Sequence, residues 1–67
     1  MRAFSDRLKE LRMEQGLSIL SLSKLTGISN ASICRWENNV CDIKGEELVI
    51  LARFFDCTTD YLLGLEV

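Results

Sequence analysis

The sequence predicts an all-α fold, a compact bundle of five short helices within a single domain. Three observations support this fold. The 67 residues include no proline, so no position forbids a helix outright. Apolar residues recur at spacings of three and four, which lie on one face of a helix, and strand-like alternation occurs nowhere. Four glycines and several serines and threonines stand where short helices would begin and end.

The first helix is predicted over about 3–14, and Gly16 suits the position just past its end. Its apolar residues fall at i, i+4 and i+7: Phe4, Leu8 and Leu11. The second helix is predicted over about 18–26. Ser18 suits its N-cap, because a serine hydroxyl accepts from a free backbone N–H of the first turn. Gly27 ends this helix, and two residues are expected to face inward: Leu22 and Leu25.

The third helix is predicted over about 29–38 with Ser29 as its N-cap, and 39–44 is predicted to be a loop. Its apolar side consists of Ile33 and Trp36. The fourth helix is predicted over about 45–56, with one apolar face at i, i+3, i+4 and i+7: Leu48, Leu51, Ala52 and Phe55. A short fifth helix runs through residue 63, between a capping residue and a terminating glycine: Thr58 and Gly64.

Length and composition indicate one domain over 1–67, without a metal or a cofactor. Histidine is absent, and the three cysteines show no C-x-x-C spacing: Cys34, Cys41 and Cys57. Three free thiols indicate a reducing compartment, so we expect a cytoplasmic location. The N-terminus is charged and lacks the apolar core of a signal peptide, and the longest apolar run, 48–52, is too short for a membrane span.

The charge distribution bears on the kind of partner. The net charge of −2 argues mildly against nucleic acid, because phosphates favour basic domains. Residues 1–44, however, hold seven Lys or Arg against five Asp or Glu, whereas 45–67 hold one against five. The first two-thirds could therefore face phosphates while the last third faces away. No nucleophile motif, phosphate loop or paired carboxylates occur, so we do not expect an enzyme.

Two short helices joined by a few residues that include a glycine form the pattern of a helix-turn-helix. The run over 16–38, GLSILSLSKLTGISNASICRWEN, resembles the Cro/repressor-type (XRE-like) helix-turn-helix transcriptional regulators, whose DNA-binding domain is lambda-repressor-like. The spacing F-x-x-x-L-x-x-LR over 4–12 is similar to the family's first helix. LxxLARFF over 48–55 and DYLLG over 60–64 are similar to its last two helices.

The motif also makes physical sense. A small side chain at Ser23 allows helices two and three to cross closely, and Gly27 adopts a left-handed turn without a Cβ clash. Four apolar residues are expected to anchor helix three to the body and leave its opposite face free: Leu22, Ile28, Ile33 and Trp36.

The resemblance assigns roles to residues of helix three and its surroundings. Its base-contacting positions correspond to Asn30, Ala31, Ser32 and Arg35, whose side chains suit a major groove. Its phosphate-contacting positions correspond to Ser18, Ser29, Asn38 and Lys44, although the two N-cap serines could serve as caps alone. The family also pairs an arginine of helix one with a glutamate of helix three, here Arg12 and Glu37.

The resemblance implies a sequence-specific DNA-binding transcriptional regulator, a repressor that binds a palindromic operator in double-stranded DNA as a homodimer. Apolar residues of the C-terminal tail are the first candidates for the dimer contact: Leu62, Leu63, Leu65 and Val67. Val40 and Ile43 are the second choice, and either set could instead close the core of a monomer.

An alternative keeps the fold but makes the domain a protein-interaction module, such as an antitoxin-like or anti-repressor partner with weak or no DNA binding. Four apolar residues support it because the family usually has polar residues or proline there: Ile19, Leu20, Val40 and Ile43. Ile19 stands where many members have a glutamine that bonds a phosphate, and with Leu20 it would form an apolar patch at the start of helix two. Cys34 and Cys41, in or near the expected DNA face, leave a redox switch as a further option.

Overall fold

A computed structural model describes residues 2–65, and these residues form five α-helices and no strand. In chain order the helices are α1 (Arg2–Glu14), α2 (Ile19–Thr26), α3 (Asn30–Glu37), α4 (Gly45–Phe54) and α5 (Thr59–Leu62). The predicted all-α class and the order of its five helices are therefore confirmed. Within this part of the chain, no helix has both the length and the apolar character needed to cross a bilayer.

Serine and threonine caps fix where three of the helices begin. The Ser18 hydroxyl accepts from the Ser21 backbone N–H, and the Ser29 hydroxyl accepts from that of Ser32. Thr58 caps α5 in the same way. Each bond satisfies an N–H that the first turn of a helix leaves without a backbone partner. The predicted N-caps of the second, third and fifth helices are thus present.

The helices enclose one core to which every helix contributes. α1 packs against α3 and α5, α2 packs against α3 and α4, and α4 packs against α5. The side chains that lose all contact with solvent come from all five helices: Phe4, Leu8, Leu22, Ile33, Leu51 and Leu62. The predicted anchors of the third helix, Leu22, Ile28, Ile33 and Trp36, all lie in this core.

The C-terminal segment closes the bundle against α1. An added Cβ on Gly64, whose φ is +80°, would lie 2.5 Å from the Cβ of Ala3. The Arg7 guanidinium also lies 4.1 Å from the centre of the Tyr61 ring, a cation–π distance. The close approach of Gly64 to Ala3 and the contact of Arg7 with the Tyr61 ring both hold the α5 end of the chain on the first helix.

One expectation about side-chain direction was wrong, and for two further residues the structure selects one of the two alternatives. Leu25 is exposed, because the inward side of α2 is centred on Ile19, Leu22 and Thr26, and Leu25 lies beside that side rather than on it. Leu62 and Ile43, named as candidate dimer contacts, are buried in the core of the same molecule. Of the other candidates, Leu63 packs partly against the core, two are exposed (Leu65 and Val40), and Val67 lies outside the described residues.

The fourth helix is also shorter than predicted. It ends at Phe54, whereas its end was expected at about residue 56. Asp56 has a φ of +54°, a left-handed conformation that stops the helix. Phe55 nevertheless remains buried, and its ring packs edge to face against that of Phe54 with centroids 5.0 Å apart.

Candidate nucleic-acid interface

The candidate contact surface is the outer, exposed face of α3, which carries Asn30, Ala31 and Arg35. Ser32 is only half exposed and lies at the edge of this face. The opposite side holds the buried residues Ile33 and Trp36. Because helical residues three and four apart share a face, this division leaves a polar surface about 12 Å long turned away from the core.

Two contacts with α1 hold the C-terminal half of α3. The buried Ser5 hydroxyl donates to the Trp36 carbonyl oxygen at 2.5 Å. The rings of Phe4 and Trp36 pack edge to face with centroids 6.2 Å apart. Sequence reasoning missed the role of Ser5, because a serine beside an apolar stripe gives no sign of a partner 31 residues away.

Arg12 and Glu37 form a bidentate ion pair between α1 and the end of α3. Arg12 Nε donates to Glu37 Oε2 at 2.6 Å, and Arg12 Nη2 donates to Glu37 Oε1 at 2.9 Å. The side chains keep only 13% and 5% of their accessible surface. The hydrogen bonds to Glu37 raise the pKa of Arg12 above its ordinary value, although burial opposes the charge. Arg12 Nη1 also donates to the Leu17 carbonyl oxygen at 2.7 Å.

Side-chain hydroxyls brace the turn between α2 and α3. Ser23 donates to the Ile28 carbonyl oxygen at 2.5 Å. Thr26 donates to the Leu22 carbonyl oxygen at 2.8 Å and accepts from the Ile28 backbone N–H at 3.3 Å. Gly27 has a φ of +76°, the left-handed conformation expected at this position. Ser23 and Thr26 therefore fix the turn through their hydroxyl groups.

The N-cap serines use their hydroxyl groups within their own helices. Ser18 donates to the Ser21 hydroxyl oxygen and Ser29 donates to that of Ser32, each at 3.0 Å. The hydroxyl hydrogens of Ser21 and Ser32 are then the ones left for another acceptor. Sequence reasoning did not single out Ser21, although the repeated spacing Ser-x-x-Ser at both helix starts was visible.

The remaining residues predicted to contact phosphate lie at helix ends. Asn38 follows α3, and its Nδ2 donates to the Cys34 carbonyl oxygen at 2.8 Å and lies 3.4 Å from the Cys34 sulfur. Lys44 is the exposed N-cap residue of α4, and its side chain makes no capping bond. Cys34 is half exposed and lies on the outer side of α3 between Asn30 and Asn38, four residues to either side, and all three cysteines are free thiols.

The chain is similar to a phage repressor and to two bacterial transcriptional regulators. Repressor protein C2 of Salmonella phage P22 is 37% identical over 57 residues, which are 85% of this chain and 24% of that protein. Two regulators of Bacillus subtilis (strain 168) match over more than nine-tenths of the chain. They are the uncharacterised HTH-type transcriptional regulator YobD, 36% identical over 55% of its length, and the HTH-type transcriptional regulator AnsR, 38% identical over 53%. The chain thus spans about a quarter of the phage repressor and about half of the Bacillus regulators.

The fold has a solved counterpart. The crystal structure of the P22 c2 repressor protein in complex with synthetic operator 9T, in the presence of Tl+, matches with a TM-score of 0.87 and 29% sequence identity. The match covers 98% of this chain and all of that one. A family model described as helix-turn-helix matches residues 8–62. Since these residues form most of the sequence, the chain belongs to the helix-turn-helix family.

Proposed function

We propose that the protein is a sequence-specific DNA-binding transcriptional regulator, a repressor that acts in the cytoplasm and binds a palindromic operator as a homodimer. One observation carries the proposal. The polar face of α3 is turned outward by a buried opposite face, in a fold that matches an operator-bound repressor with a TM-score of 0.87. The chain acts as one DNA-binding domain, and α3 enters the major groove.

The side chains on α3 suit bases of different kinds. Asn30 can form a bidentate pair with adenine, Arg35 can do so with guanine, and Ala31 can contact a thymine methyl group. Asn30, Ala31 and Arg35 are all exposed, which supports direct contact with base edges. Ser32 is half exposed and already bonded to Ser29, so its contact belongs at the edge of the groove.

Phosphate contacts would come from the helix ends around this face. Ser18 and Ser29 lie at the N-termini of α2 and α3, where backbone N–H groups and the helix dipole favour an anion. Lys44 offers an exposed ammonium group. Asn38 can donate to a phosphate with the hydrogen that is not bonded to the Cys34 carbonyl oxygen, or after that bond breaks.

Selection of bound sites from a pool of random DNA, followed by mobility shifts at two salt concentrations, tests the proposal. We expect a recovered palindrome whose complex survives non-specific competitor. Failure to enrich any sequence, with no shift of any duplex, would contradict DNA binding and favour the protein-interaction alternative.

Variants of the two cationic residues then separate base contact from phosphate contact. Arg35→Ala should weaken binding to the selected site by about 1–3 kcal/mol and relax preference at one base position. Lys44→Ala should weaken binding evenly across sequences and reduce the dependence on salt. Lys9→Ala, at an exposed position of α1, serves as the matched loss of one positive charge. Equal effects of Arg35→Ala on all sequences would contradict its role in base contact.

A further inference from the structure

The outer face of α4 is left exposed by the packing of the bundle. α4 contacts α2 and α5, and its buried residues are Leu51 and Ala52. The residues at i, i+3, i+4 and i+7 on the other side are exposed: Glu46, Val49, Ile50 and Arg53. Val49 and Ile50 keep 39% and 37% of their accessible surface, so two adjacent aliphatic side chains face solvent between opposite charges.

The order of these four residues is self-complementary. The midpoint between Glu46 and Arg53 coincides with the midpoint between Val49 and Ile50. If a second copy of α4 runs antiparallel about a two-fold axis through that midpoint, Glu46 of each copy faces Arg53 of the other. The aliphatic residues then meet at the axis. A parallel arrangement would instead put like charges opposite each other. Within residues 2–65, neither Glu46 nor Arg53 has an ion-pair partner.

We propose that this face of α4 is the self-association surface of the protein, and that its occupant is a second copy of the same helix in antiparallel orientation. The inference rests on the proposed function and deepens it, since a palindrome is bound by a two-fold dimer with the same patch on both subunits. It replaces Leu62 and Ile43, whose burial removes them from any contact between molecules.

The size of the surface sets the strength expected of the dimer. The face consists of four exposed residues on one helix, whereas a stable interface takes about 20–30 residues from each partner. Stable interfaces bury about 800 Å² per partner. The free protein should therefore dimerise weakly, at high concentration, and two adjacent half-sites on DNA should favour the dimer.

Charge reversal tests the antiparallel geometry directly. In sedimentation equilibrium up to millimolar protein, Glu46→Arg and Arg53→Glu should each weaken self-association about tenfold or more, because each brings two pairs of like charges together. A mixture of the two single variants should form mixed dimers of native strength. The double variant should likewise regain association. Val49→Asp should abolish association, whereas Leu25→Asp, at an exposed apolar position of α2, should not change it.

The mixture also controls for the stability of the fold. Glu46 lies in the first turn of α4 and Arg53 in the last, where each charge interacts favourably with the helix dipole. Both reversals will therefore lower thermal stability somewhat. That cost persists in the mixture, so restored association there reports the contact alone. Single variants that associate like the unaltered protein, or a mixture no better than its components, would overturn the proposal.

Binding to a duplex with one half-site separates this inference from the proposed function. At high salt, where the change in net charge is screened, Glu46→Arg and Arg53→Glu should bind that duplex as tightly as the unaltered protein does. If they do so but the reversal pattern fails, the α4 surface is wrong and DNA binding stands. If the reversal pattern holds but no duplex is bound, the α4 surface stands and the DNA-binding function is wrong.

Discussion

At the scale of single residues, Arg12 joins three parts of the chain with one side chain. Its guanidinium bonds the carboxylate of Glu37 at the end of α3 and the carbonyl oxygen of Leu17 in the turn after α1. Family resemblance pointed to a partner on α3, since a contact between residues 25 apart leaves no local pattern. The bond to Leu17 was not predicted, because it depends on how the turn folds back over α1.

Replacing Arg12 should therefore destabilise the protein strongly. Arg12→Ala leaves the carboxylate of Glu37, only 5% exposed, without its cation, which should cost about 3 kcal/mol in the free energy of unfolding. The control is Lys9→Ala, at an exposed position of the same helix. Urea denaturation at neutral pH measures both, and a loss below about 1 kcal/mol would place Arg12 among ordinary surface ion pairs.

The pH dependence of this contact follows from the raised pKa of Arg12. A cationic group whose pKa is higher in the folded state stabilises the fold at every pH below its unfolded pKa. That contribution is lost only as the pH rises through the folded value, which for this arginine lies in the strongly alkaline range. Denaturation midpoints measured from pH 6 to pH 9 should thus show a constant effect of Arg12→Ala.

Gly64 is a second position where one atom should decide stability. Alanine there must adopt a φ of +80° and place its Cβ 2.5 Å from the Cβ of Ala3. Gly16→Ala is a matched control, since its φ is +68° but nothing lies within 4 Å of the added Cβ. Both should pay about 1–2 kcal/mol for the left-handed conformation. Gly64→Ala should cost about 1–3 kcal/mol more in thermal or urea unfolding. Equal losses would mean that the backbone moves aside, and Ala3→Gly should recover part of the difference.

At the scale of helices, boundaries were predictable where a local bond sets them. Ser18, Ser29 and Thr58 each cap a helix through an N–H three residues ahead, so the necessary signal lies in four consecutive residues. The burial of Ile43 was not predictable in this way. Ile43 lies in the loop between α3 and α4, where no helical period tells which side of the backbone faces the core.

The start of α2 corrects one interpretation of the sequence. Ile19 packs against the core and Leu20 is 56% exposed, so the two residues do not form a shared surface patch. Ile43 is buried as well, and two of the four apolar departures from the family pattern thus serve the core. The case for a protein-interaction module loses that support, and Leu20 and Val40 remain as its exposed apolar residues.

Substitution by glutamine should distinguish these two neighbours. Ile19→Gln removes apolar burial and should lower the free energy of unfolding by about 1 kcal/mol. Leu20→Gln, at an exposed position of the same turn, should change it by less than about 0.5 kcal/mol. On the selected operator, Ile19→Gln should tighten binding by up to about 1 kcal/mol by adding a hydrogen bond. An unchanged operator affinity would remove Ile19 from the account of DNA binding, and an equal stability loss for both variants would contradict its packing role.

At the scale of the whole molecule, charge and architecture divide the chain in the same way. Residues 1–44 carry a net charge of +2 and include α3, whereas 45–67 carry −4 and include α4 and α5. α3 packs mainly against α1 and α2, and α4 packs against α2 and α5. An α4 contact between two copies would thus hold acidic segments near the two-fold axis and leave both α3 helices free at a distance from it.

The dimensions of the molecule turn that arrangement into a prediction about operator spacing. Recognition helices of a two-fold dimer lie about 34–36 Å apart, one turn of DNA. The molecule measures 27 × 24 × 21 Å, so two copies in contact have centres closer together than that, and each α3 must lie on the outer side of its own copy. Half-sites one turn apart, about 10 base pairs, should therefore be bound cooperatively. Inserting about 5 base pairs puts the second half-site on the opposite side of the duplex, where the dimer cannot reach it. Mobility shifts on the two duplexes measure the difference, and equal affinities at both spacings would mean that the copies bind independently.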